Sequence, residues 1–309
     1  MKAVQVREFG IEHVTVAEVA DPSPGQGEVL IATEAATVNP ADFAVVTGAV
    51  AARLPWGSAP PYMPGWDLVG RVAAAGEGVD RSAIGSRVLG FSLWFESLRG
   101  TQAALVALPL GNVVPVSEDL PAARLTTVGL NGLTAWRGLA DLKLADGEVL
   151  VVTGAAGSVG GFAVELAAAR GFTVIAVVRE GQEQDALDLG ATAVVTAGGA
   201  NLGAAVRDVA PDGADALLDT ASIAAPALAA VRDGGKYVTV TQLPDPERGI
   251  DVFRSGGRMD AAALRALADM ASSGRLHTPV AQVYGVDDVR AAYEAFAKRT
   301  GRGRISLSF

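Results

Sequence analysis

Two rhythms of apolar and polar positions divide the chain. Up to about residue 118, short runs rich in Val and Leu ("KAVQV", "HVTVAEV", "EVLIATEAATV", "LVGRVAAAG", "SRVLGF", "AALVAL") alternate with "DPSPGQGE", "GSAPPYMPG" and "GEGVDRSAIG", dense in Gly and Pro. Short strands punctuated by turn chemistry predict a small, partly open antiparallel barrel over 1–118. From about 121 the rhythm lengthens. "PAARLTTVGLNGLTAWRGLADL" reads as helix, and strands apolar throughout then alternate with helical stretches: "EVLVVT", "VGGFAVELAAAR", "TVIAVV", "QEQDALDLG", "TAVVT", "LGAAVRDVA", "ADALLDT", "APALAAVR" and "KYVTVT". Strands without polar alternation are buried on both faces, as in parallel sheets, so 119–256 predicts a doubly wound α/β domain. Residues 257–309 mix helix ("MDAAALRALADMASSG", "VDDVRAAYEAFAKR") with strand ("HTPVAQVYG", "GRISLSF") and could return to the first domain.

Composition narrows the chemistry. The 309 residues are 50% hydrophobic and 19% charged, enough apolar content for large cores, and the net charge is −9 without a basic run. Nucleic acid is therefore not an expected partner, because phosphate binding needs clustered Lys and Arg. There is no cysteine, and His13 and His277 are the only histidines. Disulfides, cysteine-ligated metals and a thiol nucleophile are excluded, and a Ser–His triad has little material. No run reaches the ~18 apolar residues of a membrane span. The opening "MKAVQVREFG" enters strand-like alternation at once, so a soluble cytoplasmic protein is expected.

The stretch "VVTGAAGSVGGF" (151–162) carries the most specific signal. It follows an apolar strand, opens a helix, and is followed by a second apolar strand, which is the setting a dinucleotide-binding turn requires. Gly154 permits the tight turn, Gly157 lets backbone approach a pyrophosphate, and Gly160 lets the helix sit close on the sheet. The run Ala156, Gly157, Ser158, Val159 and Gly160 then offers helix N-terminal N–H groups and the helix dipole to the phosphates. The spacing is G-x-x-G-x-x-G, and a purely structural turn is the alternative. The second strand, "TVIAVVREG", contains no acid to hold a ribose 2′-hydroxyl, and Arg179 comes first at its end. An arginine there suits a 2′-phosphate, so NADPH is preferred to NADH, with Glu180 the counter-argument.

The motifs "TVNPADF" (37–43), "MPGWDLVGRVAAAGEGV" (63–79), "GSRVLGF" (85–91), "LNGLTAWRGL" (130–139), "GAAGSVGG" (154–161) and "GRGRISL" (301–307) together resemble the zinc-free medium-chain dehydrogenase/reductases of the NADPH:quinone oxidoreductase kind. The resemblance implies a GroES-like β-barrel catalytic domain and a Rossmann cofactor domain, with the C-terminal tail returning to the first and nicotinamide and substrate held between them. It also implies a homodimer joined through the Rossmann domains, for which "KYVTVT" is a candidate edge. Zinc-dependent relatives place a cysteine where Asn39 stands and a His–Glu pair where Trp66–Asp67 stand; no metal is expected here.

On the same footing the catalytic candidates are Asn39, Thr134 and Tyr62, with Asn39, Tyr62 and Trp66 facing substrate and Thr134 near the nicotinamide. Bland readings accompany each: Asn39 as a turn residue before Pro40, Asp42 as a helix cap, Thr134 as a plain helix residue, Tyr62 as a packed loop aromatic. Two departures stand out. The tyrosine that many relatives carry beyond "NPAD" is absent from "FAVVTGAV", and the lysine common after the second strand is absent from "REGQEQD". The expected activity is hydride transfer from NADPH to a quinone or α,β-unsaturated carbonyl. The alternatives are a pathway-specific enone or enoyl-thioester reductase or cyclase, and an NADPH-binding redox sensor with little catalysis.

Overall fold

The computed structural model describes the chain apart from residue 56, residues 197–200 and residues 299–302, so the opening Gly301 and Arg302 of "GRGRISL" lie outside the described residues. The chain divides into two compact units, Met1–Leu130 with Met259–Phe309, and Asn131–Arg258. The C-terminal segment is thus part of the first unit.

In the first unit β1 (Lys2–Val6) and β2 (Val14–Glu18) form an antiparallel pair. The main sheet contains β3 (Glu28–Val38), β4 (Asp67–Ala75), β5 (Arg87–Phe91), β6 (Leu105–Pro109), β7 (Val113–Pro115), β14 (Val280–Gly285) and β15 (Arg304–Ser308). Its order is β14-β15-β3-β4-β5-β7, with β6 also paired to β3. The polar–apolar alternation of "EVLIATEAATV" is realised along β3, whose residues alternate between half-buried and buried until the last four, which are buried. Ala3, Val29, Ile31, Leu68, Val88 and Val106 form the core of this unit. Its helices are α1 (Pro40–Val46), α2 (Trp94–Ser97), α3 (Ala122–Leu125), α9 (Ala261–Ser272) and α10 (Val289–Lys298).

The helix expected over 121–142 is broken. Behind α3 a 3-10 turn, Thr126–Val128, precedes α4 (Gly129–Leu142). The Thr126 and Thr127 hydroxyls donate back to the Ala123 and Arg124 carbonyls at 3.0 and 2.8 Å, a side-chain competition that tightens helix ends. The divide between units falls inside α4 rather than at 118/119, because α3 and the 3-10 turn pack on β3 and β4.

The second unit alternates strand and helix: β8 (Val149–Thr153), α5 (Ser158–Ala168), β9 (Thr173–Val178), α6 (Glu183–Asp188), β10 (Ala193–Thr196), α7 (Leu202–Val209), β11 (Ala214–Asp219), α8 (Ala225–Leu228), β12 (Val231–Thr239) and β13 (Asp251–Arg254). All pairings are parallel, in the order β10-β9-β8-β11-β12-β13. The chain winds outward from β8 to β10 and then returns to β11 on the other side. The β8/β11 border is therefore the switch point, where ligands of such sheets bind beyond the strand ends.

Two expectations are corrected here. "APALAAVR" is helical only over Ala225–Leu228, and β12 starts at Val231, pairing with Ala214. The Arg248 guanidinium takes the carbonyls of Leu228 and Val231, closing the helix end and feeding the chain into the sheet. "KYVTVT" is not an edge, because β13 pairs with β12 from Asp251 to Arg254.

Candidate functional site

In the second unit the glycine turn is built at the end of β8. Gly154 has φ +61°, a left-handed conformation that glycine adopts without steric cost, and its carbonyl accepts from Gly157 N–H at 2.8 Å. Helix α5 begins at Ser158 with Gly157 as its cap and no side-chain capping bond. The first intrahelical bond runs from Gly161 N–H to the Gly157 carbonyl at 2.8 Å. The N–H groups of Ser158, Val159 and Gly160 thus lack intrahelical acceptors. Ala156 is buried beneath it. Gly160 is the tightest point. A Cβ there would fall on the Gly154 carbonyl oxygen and come within 2.9 Å of Thr220 Oγ1.

Arg179 stands at the end of β9, exposed, with its backbone N–H donating to Gln182 Oε1 at 3.3 Å. Thr134 lies on α4 and is buried.

A cluster that sequence reasoning missed sits beside this turn. Asp219, at the end of β11 and level with Thr153, is fully buried. Its Oδ1 accepts from Thr153 Oγ1 at 2.5 Å and Ala221 N–H at 3.1 Å; its Oδ2 accepts from Ala224 N–H at 2.9 Å and the Tyr237 hydroxyl at 2.7 Å. Burial and this neighbour push the Tyr237 hydroxyl pKa upward, so the phenol stays a donor. The available signal was small: one acid ending the otherwise apolar "ALLD".

The first unit holds a second buried polar cluster. Asn39 is the N-cap of α1, followed by Pro40 at the first helical position, where a missing N–H is harmless. A capping box closes it: the Asp42 carboxylate accepts from Asn39 N–H at 2.8 Å, and the Asn39 side chain accepts from the Asp42 backbone. Asn39 Nδ2 donates to both oxygens of Asp67, at 3.3 and 3.2 Å. Asp67 also accepts from Leu130 N–H at 3.0 Å, at the start of α4, where a negative charge complements the helix dipole. Nearby the Tyr293 hydroxyl donates to Gln102 Oε1 at 2.9 Å, and Gln102 Nε2 to the Thr37 carbonyl at 3.2 Å.

Burial dominates the electrostatics here. Desolvation pushes the Asp67 carboxyl up to about 6, against the opposing pull of Leu130 N–H, the Asn39 amide and the Arg304 charge. Asp42 is raised well above the ordinary range by desolvation and then by the Asp67 charge. The structure thus brings Asn39 together with Asp42 and Asp67, and its amide serves as cap and bridge.

Tyr62 and Trp66, expected as substrate contacts, lie in an aromatic cluster. Tyr62 pairs its backbone with Val6 and stacks on Phe9, with ring centroids 6.1 Å apart. Trp66 packs against Trp94 at 5.2 Å and Phe95 at 5.8 Å. Tyr62 and Trp66 are only 6% and 5% exposed, and both contribute to the packing of this cluster. The apolar loop around them collapses on its own rings, the gain that large aromatics make by burial.

Comparison with known proteins fits this geometry. Residues 25–118 match the alcohol dehydrogenase GroES-like domain, and residues 158–259 match the zinc-binding dehydrogenase domain. An alcohol dehydrogenase of Moraxella sp. is 26% identical, spanning 100% of this chain and 99% of the relative. A quinone oxidoreductase of Lama guanicoe is 33% identical over 59% of this chain and 54% of its own length. A solved candidate alcohol dehydrogenase from Sinorhizobium meliloti is 30% identical, with a TM-score of 0.85, covering 100% of this chain and 96% of that one. A GroES-like first unit, a Rossmann-type second unit, full-length likeness to the two alcohol dehydrogenases and a half-length likeness to a quinone oxidoreductase lead to one assignment: the chain belongs to the medium-chain dehydrogenase/reductase family.

Proposed function

We propose that the protein is an NADPH-dependent, metal-free reductase of quinones or α,β-unsaturated carbonyls. The observation that carries this reading is the glycine turn opening α5, with Arg179 exposed at the end of a second strand that has no acid. The turn fits a pyrophosphate: the N–H groups of Ser158, Val159 and Gly160 lack intrahelical acceptors and would serve it, and the contacts of Gly160 leave no room for a side chain. Arg179 would pair with the 2′-phosphate as a charge-assisted bond. When bound, the reduced nicotinamide supplies the hydride. Thr134 is the residue proposed to contact the nicotinamide, and Asn39 acts on the substrate side through its amide, held in one orientation by Asp42 and Asp67.

The residues do not fit a catalytic zinc. At the positions where zinc-dependent relatives carry thiolate and imidazole, the Asn39 amide is committed to the Asp67 carboxyl group and the Asp42 backbone, and Trp66 is an indole packed among aromatics. Acceptor polarisation therefore rests on hydrogen bonds rather than on a Lewis acid. We also propose a homodimer, with the outer strand β13 and its exposed Phe253 as the surface it would use; light scattering of the purified protein tests this.

The decisive experiment is NADPH oxidation over a panel of quinones and α,β-unsaturated ketones, with NADH in parallel and metal content measured on the same sample. Turnover of several quinones with NADPH, at substoichiometric zinc and unchanged by EDTA, is the expected result. Turnover that needs added zinc would overturn the metal-free part. Cofactor binding without turnover of any acceptor would turn the assignment toward a pathway-specific substrate or a sensor.

A further inference from the structure

We infer that Asp219 is a positioning residue for the dinucleotide: its buried carboxylate sets the glycine turn through Thr153 and Thr220. The inference rests on the dinucleotide reading of that turn. A carboxylate taken wholly out of water carries a desolvation penalty of several kcal/mol unless donors surround it. Asp219 meets that condition with four donors from three stretches of chain: Thr153 on β8, Ala221 and Ala224 in the following loop, and Tyr237 on β12. An apolar residue would fill the same place with less penalty, so the charge needs a reason in what it holds.

It holds the turn. Thr153, pinned by Asp219, is the residue before Gly154, and its Oγ1 accepts from Thr220 N–H at 3.1 Å and Ala221 N–H at 3.2 Å. Thr220 Oγ1 donates back to the Thr153 carbonyl at 2.6 Å. That same hydroxyl oxygen lies 3.0 Å from where a Cβ of Gly154 would be and 2.9 Å from that of Gly160. One oxygen therefore backs both the glycine that turns the chain and the glycine that seats α5.

The carboxylate also holds a strained segment in place. Ser222 and Ala224 both have φ +60°, in the region that L side chains rarely enter, and Ala224 N–H is one of the Oδ2 donors. Losing the carboxylate releases both the strained loop and the Thr153–Thr220 lock behind the turn. The N–H groups of Ser158, Val159 and Gly160 then lose their common aim, and the effect falls on the part shared by both nicotinamide cofactors. Arg179, by contrast, can only distinguish one cofactor from the other.

The test is Asp219→Asn, which keeps the shape but turns an N–H₂ toward donors. NADPH and NADH dissociation constants are read from fluorescence of the bound reduced nicotinamide. Both are expected to rise by about ten-fold and by the same factor. In quinone assays the KM for NADPH should rise while kcat at saturating NADPH stays within about two-fold, whereas a merely smaller folded fraction would lower kcat and leave KM unchanged. Thr220→Val removes only the hydroxyl behind the glycines and should reproduce the equal loss for both cofactors, which keeps the test open if Asp219→Asn does not fold. Wild-type binding with unchanged constants in Thr220→Val and in folded Asp219→Asn overturns the inference alone. Wild-type protein that binds neither cofactor removes the dinucleotide reading and the inference with it.

Discussion

Two aspartates of this protein are equally buried and differently held. Asp219 in the second unit has two donors on each oxygen, at 2.5 to 3.1 Å. Asp67 in the first unit takes the Asn39 amide between its oxygens at 3.2 and 3.3 Å, one helix N–H at 3.0 Å and a backbone hydrogen bond from Thr37, with the Arg304 charge acting on it as well. Its carboxyl is pushed up to about 6 by desolvation. Burial alone does not decide what a carboxylate does in a core. The length and direction of its hydrogen bonds decide as well, and the short bonds from Thr153, Ala224 and Tyr237 make Asp219 a structural anchor.

The comparison can be broken most sharply by removing the anchor. Asp219→Ala takes the carboxylate acceptor from the Thr153 and Tyr237 hydroxyls and from Ala224 N–H, and leaves Ala221 N–H only its longer bond to Thr153 Oγ1; it should cost about 3–5 kcal/mol of stability in urea unfolding. A loss under about 1 kcal/mol would mean that water or neighbours replace the carboxylate easily, and the contrast would fail.

The next test concerns the sign of the pH dependence. The folded carboxyl of Asp67 lies above its ordinary value of 3.8, so the folded state binds its proton more tightly. The stabilisation from this group is full below about pH 4 and is lost as pH rises through about 6, by up to roughly 3 kcal/mol. Asp67→Asn cannot ionise. Its stability relative to the wild type should therefore improve by that order between pH 4 and pH 7, and a difference that is flat with pH would show that Asp67 titrates normally.

A smaller effect sharpens the assignment of the second unit. Arg179→Ala should weaken NADPH about ten-fold, near 1.4 kcal/mol, and leave NADH almost untouched. Equal losses for both cofactors would show that the guanidinium does not read the 2′-phosphate. The smallest change is Tyr237→Phe, which removes one of the four donors of Asp219 and should cost about 1 kcal/mol in thermal or urea unfolding. A cost as large as that of Asp219→Ala would place the weight of the cluster on the phenol instead.

Much of the architecture is legible from short-range pattern. The uniform apolar run "VLVVT" became β8, buried except at its first residue, and the alternation of "EVLIATEAATV" became β3. Pattern misled where side chains outvoted it. The threonine hydroxyls at 126 and 127 break a helix that periodicity joins, and Arg248 ends another after one turn. For the candidate sites the split is similar. The turn at Gly154, Gly157 and Gly160 can be read from spacing, since each glycine answers a local backbone need. The roles expected of Tyr62 and Trp66 could not be checked from spacing, because their burial depends on Phe9 and Trp94, distant in the chain.

By itself, then, the sequence determined the change from short strands to alternating strands and helices, the glycine turn at the first parallel strand, and the absence of any thiolate for a metal. These follow from periods of two and 3.6 residues and from residue chemistry, which act over a few neighbours. Only the tertiary structure decided that Asp219 would meet Thr153, 66 residues away, and that Asn39 would meet Asp67, 28 residues away. Such pairings depend on strand order and register to within a fraction of an ångström, and those are set by packing of whole elements against one another.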